Sequence, residues 1–157
     1  EKQISPMLII DPPSQLNDFV GTTIGPGDWL TVDQSMINAF AEVTGDRQWI
    51  HVDTERAARE MPGGKTIAHG FLVLALLGRL MPPLYDVRGA SRILNYGSDR
   101  LRFLNVVPAG ARVRASITFK SVEPVPGGRK CVTETSIEVE GQAKPALLAE
   151  SIFLYYD

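Results

Sequence analysis

The chain has 157 residues, 44% hydrophobic and 22% charged, with a formal net charge of −2. That length points to one domain. The mixed, slightly acidic composition argues against a nucleic-acid-binding protein, and the most apolar run, Phe71 to Leu77, is too short to cross a bilayer.

Residues 1–18 carry Pro6, Pro12 and Pro13 without a clear period and read as an N-terminal arm, with residues 19–157 as the single domain. Gly25-Pro26-Gly27 is a turn, followed by a short strand from Asp28 to Val32. Asp33 suits a helix N-cap, Met36, Ile37, Phe40 and Val43 repeat at helical spacing, and Gly45 is a natural stop. Asp46 to Val52 follows neither period and reads as a loop. Thr54 to Glu60 reads as a short helix capped by Thr54, and Met61-Pro62-Gly63-Gly64 breaks it. From Ile67 or Ala68 to Met81 the chain is apolar almost all round until Pro82-Pro83 stops it. A helix without a polar stripe must be covered on most sides.

The second half alternates at period two. Ser91–Asn95 reads as one strand, and Leu101 with Phe103 marks another. Val113, Ala115, Ile117 and Phe119 alternate with polar neighbours. Val132–Val139 and Leu147–Tyr156 follow, separated by Pro126-Gly127-Gly128 and Gly141–Pro145 turns. The brackets of turn residues predict hairpins and an antiparallel meander. An apolar helix with all faces to bury, preceding a sheet with one face to cover, is satisfied most simply when the sheet wraps the helix. The expected class is α+β, in a hot-dog arrangement.

Cys131 is the only cysteine, so no internal disulfide forms, and the thiol is expected in the core. This fits a reducing compartment. No charged-then-apolar leader pattern is evident, and a cytoplasmic location is expected. Mildly clustered basic residues between Arg88 and Arg114 read as a solvated face or as an attraction for an anionic ligand.

Two segments carry chemistry. Asp46 and His51 lie five positions apart just past a helix stop, and His69-Gly70 opens the apolar helix. A carboxylate and an imidazole supply two proton-transfer groups. The backbone N–H of Gly70, in a first helical turn, has no partner within the helix and sits at its partially positive end. That combination suits chemistry beside a carbonyl. Taken singly, Asp46 could be a loop carboxylate, His51 a structural histidine and Gly70 a packing glycine. A metal is not expected, because these residues form no H-x-x-x-H pair and no cysteine lies near. No cofactor is called for.

Thr44-Gly45-Asp46, Ile50-His51-x-Asp53, Ile67-Ala68-His69-Gly70-Phe71-Leu72, Asn95-Tyr96-Gly97 and Val107-Pro108-Ala109-Gly110 together resemble the MaoC-like dehydratase family, closest to its NodN-like branch of (R)-specific enoyl-CoA hydratases. The resemblance covers about residues 20–156. It implies syn addition of water to a trans-2-enoyl-CoA, with Asp46 and His51 as the acid/base pair and Gly70 as the oxyanion donor. Gln48, His69, Asn95 and Tyr96 are the expected substrate-binding residues, with His69 ordering the loop and Asn95 and Tyr96 alternatively strand residues with satisfied polar tips. Gln48-Trp49 departs from the Asn-Pro that many members carry there. An acyl-CoA thioester is the implied partner, with no nucleic acid or membrane. A homodimer is expected, since a small sheet on one helix leaves an edge to be paired. Arg100 or Arg102 could meet the CoA phosphates, or could be solvated sheet residues. A hot-dog acyl-CoA thioesterase and a non-catalytic acyl-thioester binder are the alternatives. Both Asp46 and His51 being present favours the hydratase.

Overall fold

The computed structural model describes residues 6–157. Asp33 caps the first α-helix, α1 (Gln34–Thr44), by accepting from the Met36 N–H at 2.9 Å. Gly45, left-handed at φ 78°, ends it with its own N–H on the Ala41 carbonyl. A four-residue helix, α2 (Trp49–Val52), occupies part of the segment that the sequence predicts as loop, too short to leave a periodic signature. The next helix, α3 (Thr54–Glu60), is capped by Asp53 rather than Thr54, because the Asp53 carboxylate reaches the Arg56 N–H at 3.0 Å.

The apolar helix begins at Gly70, not at Ile67 or Ala68. It runs as α4 (Gly70–Ala75) and α5 (Leu77–Leu80), joined through Leu76. The start is late because 66–68 is drawn into extended pairing: the Ala68 N–H donates to the Val107 carbonyl at 2.8 Å and the Ala109 N–H to the Thr66 carbonyl at 2.9 Å. The helix buries Leu72, Val73, Leu76, Leu77 and Leu80. One face stays open along Phe71, Ala75 and Gly78, so it is not covered all round.

The sheet around it contains β2 (Thr23–Ile24), β3 (Leu30–Thr31), β5 (Arg92–Phe103), β6 (Arg112–Val125), β7 (Gly128–Val139) and β8 (Leu147–Tyr156). Its order is β2-β6-β7-β8-β5, with β3 also on β6. Strands β6 to β8 form the expected hairpins. β5 instead crosses to the far side of β8, so the sheet is not a simple meander. Ser91–Asn95 and the Leu101–Phe103 stretch belong to one strand. Register shifts at Tyr96 and at Arg100–Leu101 flank Gly97, Ser98 and Asp99, which pair in order with Ile152, Ser151 and Glu150. The core is built from alternate residues of the inner strands, including Val113, Ala115, Ile117 and Phe119 of β6 and Ile137 and Val139 of β7.

Before these elements, β1 (Leu8–Ile10) pairs in parallel with β4 (Tyr85–Val87), and a 3-10 turn spans Pro13–Phe19. Ile10 and Leu16 are fully buried there. Each such side chain contributes roughly 1.5–3 kcal/mol of burial, so residues 8–19 are packed into the domain. Residues 1–5 of the expected arm lie outside the described residues. Cys131 is fully buried, and burial pushes its thiol up to about 11. No helix among the described residues is long and apolar enough to cross a membrane. The fold is an α+β hot-dog.

Candidate active site

Two segments distant in sequence meet at one point. The turn after α1 carries Asp46, α2 carries His51, and His69 stands at the N-cap of α4. Potential ligand atoms of these three side chains lie within 4.8 Å of one another. His51 is 6% exposed and His69 3%, whereas Asp46 is exposed. The site is therefore a buried imidazole pair with a carboxylate at its solvent side.

Hydrogen bonds fix how each ring is used. His51 Nδ1 lies 2.7 Å from the Ile67 carbonyl. A carbonyl only accepts, so Nδ1 carries the proton and the neutral ring presents its lone pair at Nε2. His69 Nε2 lies 2.9 Å from the Asp46 carbonyl, so that nitrogen donates and Nδ1 is left bare. His69 Nδ1 is buried without a hydrogen-bond partner. The two rings stack at 3.8 Å between centroids with 23° between planes, and Phe40 packs against His69 at 4.9 Å.

The Asp46 carboxylate makes a turn with its own loop, accepting from the Gln48 N–H at 3.4 Å, while its N–H approaches the Thr44 hydroxyl at 3.3 Å. Thr44 in turn donates to the Phe40 carbonyl at 2.7 Å, tying the loop to the end of α1. The Gln48 backbone carbonyl accepts the His51 N–H at 3.0 Å. Two side chains that the sequence reading did not single out also reach this point. Gln34, the first residue of α1, donates from Nε2 to the His51 carbonyl at 2.8 Å, and Thr66 donates from its hydroxyl to Gln34 Oε1. Their only sequence signal is that each stands beside a recognisable cap or motif.

Gly70 follows His69 directly. A Cβ there would come within 3.1 Å of the Phe103 ring at the end of β5, a tight contact that the ring would have to yield to by a few tenths of an ångström. Asn95 lines a cavity of about 780 Å³ between the open face of α4–α5 and strands β5 and β8, with Phe71, Met81, Tyr85 and Phe153 among its walls. Asp46 and His51 are not part of that wall; the cavity starts one residue past Gly70, at Phe71. Tyr96 does not line it and is 67% exposed. Arg100 pairs with Glu150 at 3.6 Å, and Arg102 donates to the neighbouring Leu101 carbonyl. The Lys120 ammonium on the same Glu150 holds that carboxyl below its usual range. At the cavity wall the Tyr85 and Tyr155 hydroxyls lie 3.3 Å apart. Burial raises both, Tyr85 to about 12, so neither is a proton donor of ordinary acidity.

Asp46, His51 and His69 offer one oxygen and two nitrogens at a spacing that a divalent cation could bridge. One nitrogen of each ring is already committed to a backbone carbonyl, and the His69 atom that remains is buried. As it stands the arrangement suits proton transfer: a free imidazole lone pair beside a carboxylate, with an unoccupied backbone N–H nearby and an apolar cavity next to it.

Comparison with known proteins places the chain in a family. Residues 16–142 match a family model described as a MaoC like domain. The chain is 50% identical over 136 residues to the 3-hydroxyacyl-thioester dehydratase Z of Mycobacterium tuberculosis, covering 86% of this chain and 89% of that protein. It is 43% identical over 136 residues to Nodulation protein N of Rhizobium leguminosarum, covering 85% and 84%. Among solved structures, an unliganded (R)-hydratase from Pseudomonas aeruginosa superposes with a TM-score of 0.69 at 22% identity, covering 88% of this chain and 82% of that one. At that identity the likeness concerns the fold.

Proposed function

Since the chain belongs to the MaoC-like dehydratase family, we propose that it is a 3-hydroxyacyl-thioester dehydratase that runs reversibly as an (R)-specific enoyl-CoA hydratase. The observation that carries this reading is the His51 tautomer: Nδ1 is tied to the Ile67 carbonyl, which leaves Nε2 as the base, on a ring that has a nitrogen within 4.8 Å of an Asp46 carboxylate oxygen. In hydration, a water is held between the two. His51 Nε2 takes one proton as the water oxygen bonds to C3 of the enoyl thioester. The Asp46 carboxylate orients the water and stabilises the imidazolium that forms. The proton returns through the pair to C2 on the same face, so one water is consumed and no net proton. Delivery of both groups from one side makes the reaction syn, and the (R) product follows when the pair meets the corresponding face of C3.

Negative charge moves onto the thioester oxygen in the transition state. The Gly70 N–H is assigned to receive it, a contribution on the order of 3 kcal/mol for one such donor. His69 orders the loop by holding the Asp46 carbonyl. The acyl chain is assigned to the cavity that begins at Phe71, with Asn95 at its wall. Gln48 supports the pair through its backbone, while Tyr96 belongs with the exposed strand edge.

That edge supports a homodimer. β5 has a free side along Arg92–Phe103, and Ile93, Leu94, Tyr96 and Phe103 are each between 46% and 67% exposed on it. Pairing two such edges about a two-fold axis satisfies the backbone and covers the apolar side chains.

The test is loss of enoyl-thioester absorbance with crotonyl-CoA and longer substrates, with chiral analysis of the product. The expected outcome is (R)-3-hydroxyacyl-CoA, with Asp46→Asn and His51→Gln each lowering kcat by at least ~10²-fold while folding is retained. Near-full turnover in either variant would reject that residue's role. An (S) product would reject the proposed (R) specificity, and release of free CoA instead of hydration would identify a thioesterase.

A further inference from the structure

His51 is useful as a base only if its ring stays where Nδ1 meets the Ile67 carbonyl. The helix carrying it has four residues, so its last carbonyls have no partner within it. The Asp53 N–H takes the Trp49 carbonyl, and no backbone N–H takes that of His51. A buried carbonyl without a donor costs roughly 1–3 kcal/mol. Gln34 supplies the missing donor from another helix, at 2.8 Å.

The Gln34 carboxamide is fully determined. Nε2 donates to the His51 carbonyl and to Asn38 Oδ1, the latter at 2.9 Å, and Oε1 accepts from the Thr66 hydroxyl. Turning the amide over would set its oxygen against two other oxygens. Thr66 is 2% exposed and immediately precedes Ile67, whose N–H donates to the Ile50 carbonyl at 3.0 Å and whose carbonyl receives His51 Nδ1. Segments 50–51 and 66–67 are thus joined three ways: backbone to backbone, imidazole to backbone, and through Gln34.

We propose that Gln34 and Thr66 are positioning residues for the acid/base reaction, Gln34 clamping the His51 backbone and Thr66 setting the orientation of the Gln34 amide. The proposal rests on the dehydratase reading above for its effect on rate, and on the His51 contacts alone for its effect on geometry. Neither residue lines the cavity assigned to the acyl chain, so their loss is expected to act on kcat and to leave KM nearly unchanged. Thr66 works through Gln34, so the two losses are not additive.

The experiment compares Gln34→Met, Thr66→Val, Thr66→Ser and the Gln34→Met/Thr66→Val double variant with the wild-type chain, by crotonyl-CoA kinetics and by ¹⁵N NMR of the His51 ring. Gln34→Met is expected to lower kcat by about ten- to a hundredfold, in line with the sensitivity of catalysis to small misplacements, with KM within about twofold. Thr66→Val follows in the same direction, the double variant is no worse than Gln34→Met, and Thr66→Ser retains most of the wild-type rate. In NMR the wild-type ring carries its proton at Nδ1, and Gln34→Met mixes the two tautomers. Wild-type kcat and an unchanged tautomer in folded Gln34→Met overturn the proposal, as does additivity of the two losses. If Gln34→Met fails to fold, Thr66→Val against Thr66→Ser decides by the same readouts, and equal rates and tautomers in that pair overturn it. A wild-type chain with no hydratase activity overturns the functional reading instead, and the tautomer measurement still judges the clamp.

Discussion

Strands β6 and β5 lie in the same sheet and meet opposite fates. Along β6, Val113, Ala115, Ile117 and Phe119 are all essentially inaccessible, while their neighbours face outward. Along β5 no residue is buried, and apolar side chains such as Ile93 and Leu94 stand about half exposed. β6 finds every partner within its own chain: β7 on one side, β2 and β3 on the other, and the helix beneath. β5 finds only β8. A stretch with strand composition and no cover is complete only when something else covers it. The difference separates the part of the molecule that makes the fold from the part on which the proposed dimer would form.

The largest effect should come from the closed strand. Ile117→Ala removes a fully buried side chain and is expected to cost about 2–5 kcal/mol, read from urea unfolding. Ile93→Ala on the open strand should cost far less at concentrations where the chain is monomeric. Equal losses at both positions in the monomer would erase the contrast.

The open strand is tested next. Leu94→Lys puts a charge at the proposed two-fold contact. Sedimentation should show the wild-type chain as a dimer at micromolar concentration and the variant as a monomer, with the dimer's thermal midpoint alone rising with protein concentration. A wild-type chain that stays monomeric and fully active would remove the dimer reading.

A smaller effect is expected where the edge strand meets the site. Gly70→Ala keeps the backbone N–H but drives a methyl to 3.1 Å from the Phe103 ring. It should lower kcat/KM by about tenfold, the scale of weakening rather than losing one oxyanion donor. Adding Phe103→Leu gives the methyl room. If the double variant recovers full activity, Gly70 serves packing; if the loss persists, crowding of the thioester is the cause.

Much of the fold was legible because it is written in short-range chemistry. Asp33 and Gly45 bracket α1 as cap and stop, and both act as their side chain or lack of one dictates. The alternation from Val113 to Phe119 gives β6 its face. What misled was also local. Gly97-Ser98-Asp99 has the composition of a turn, yet it pairs in order with β8, between register shifts at Tyr96 and at Arg100–Leu101. The apolar stretch before Gly70 resembles helix, yet 66–68 is claimed by pairing with 107–109. Thr54 and Asp53 compete for one cap, and the longer reach of the carboxylate wins.

The sequence by itself determined which groups are available: Asp46 and His51 at a fixed spacing past a helix stop, a His-Gly pair opening an apolar helix, and enough alternation to build the sheet that covers it. These follow from neighbours along the chain, and hydrogen-bonding and burial preferences act at that range. Only the tertiary structure decided how those groups are presented. The His51 tautomer depends on the Ile67 carbonyl sixteen residues away, and the stack with His69 depends on the turn and the helix meeting. Gln34 enters the site through a backbone carbonyl, and any residue type carries one. A contact with main chain leaves no mark in the pattern of side chains, so that part of the site became visible only when the chain was folded.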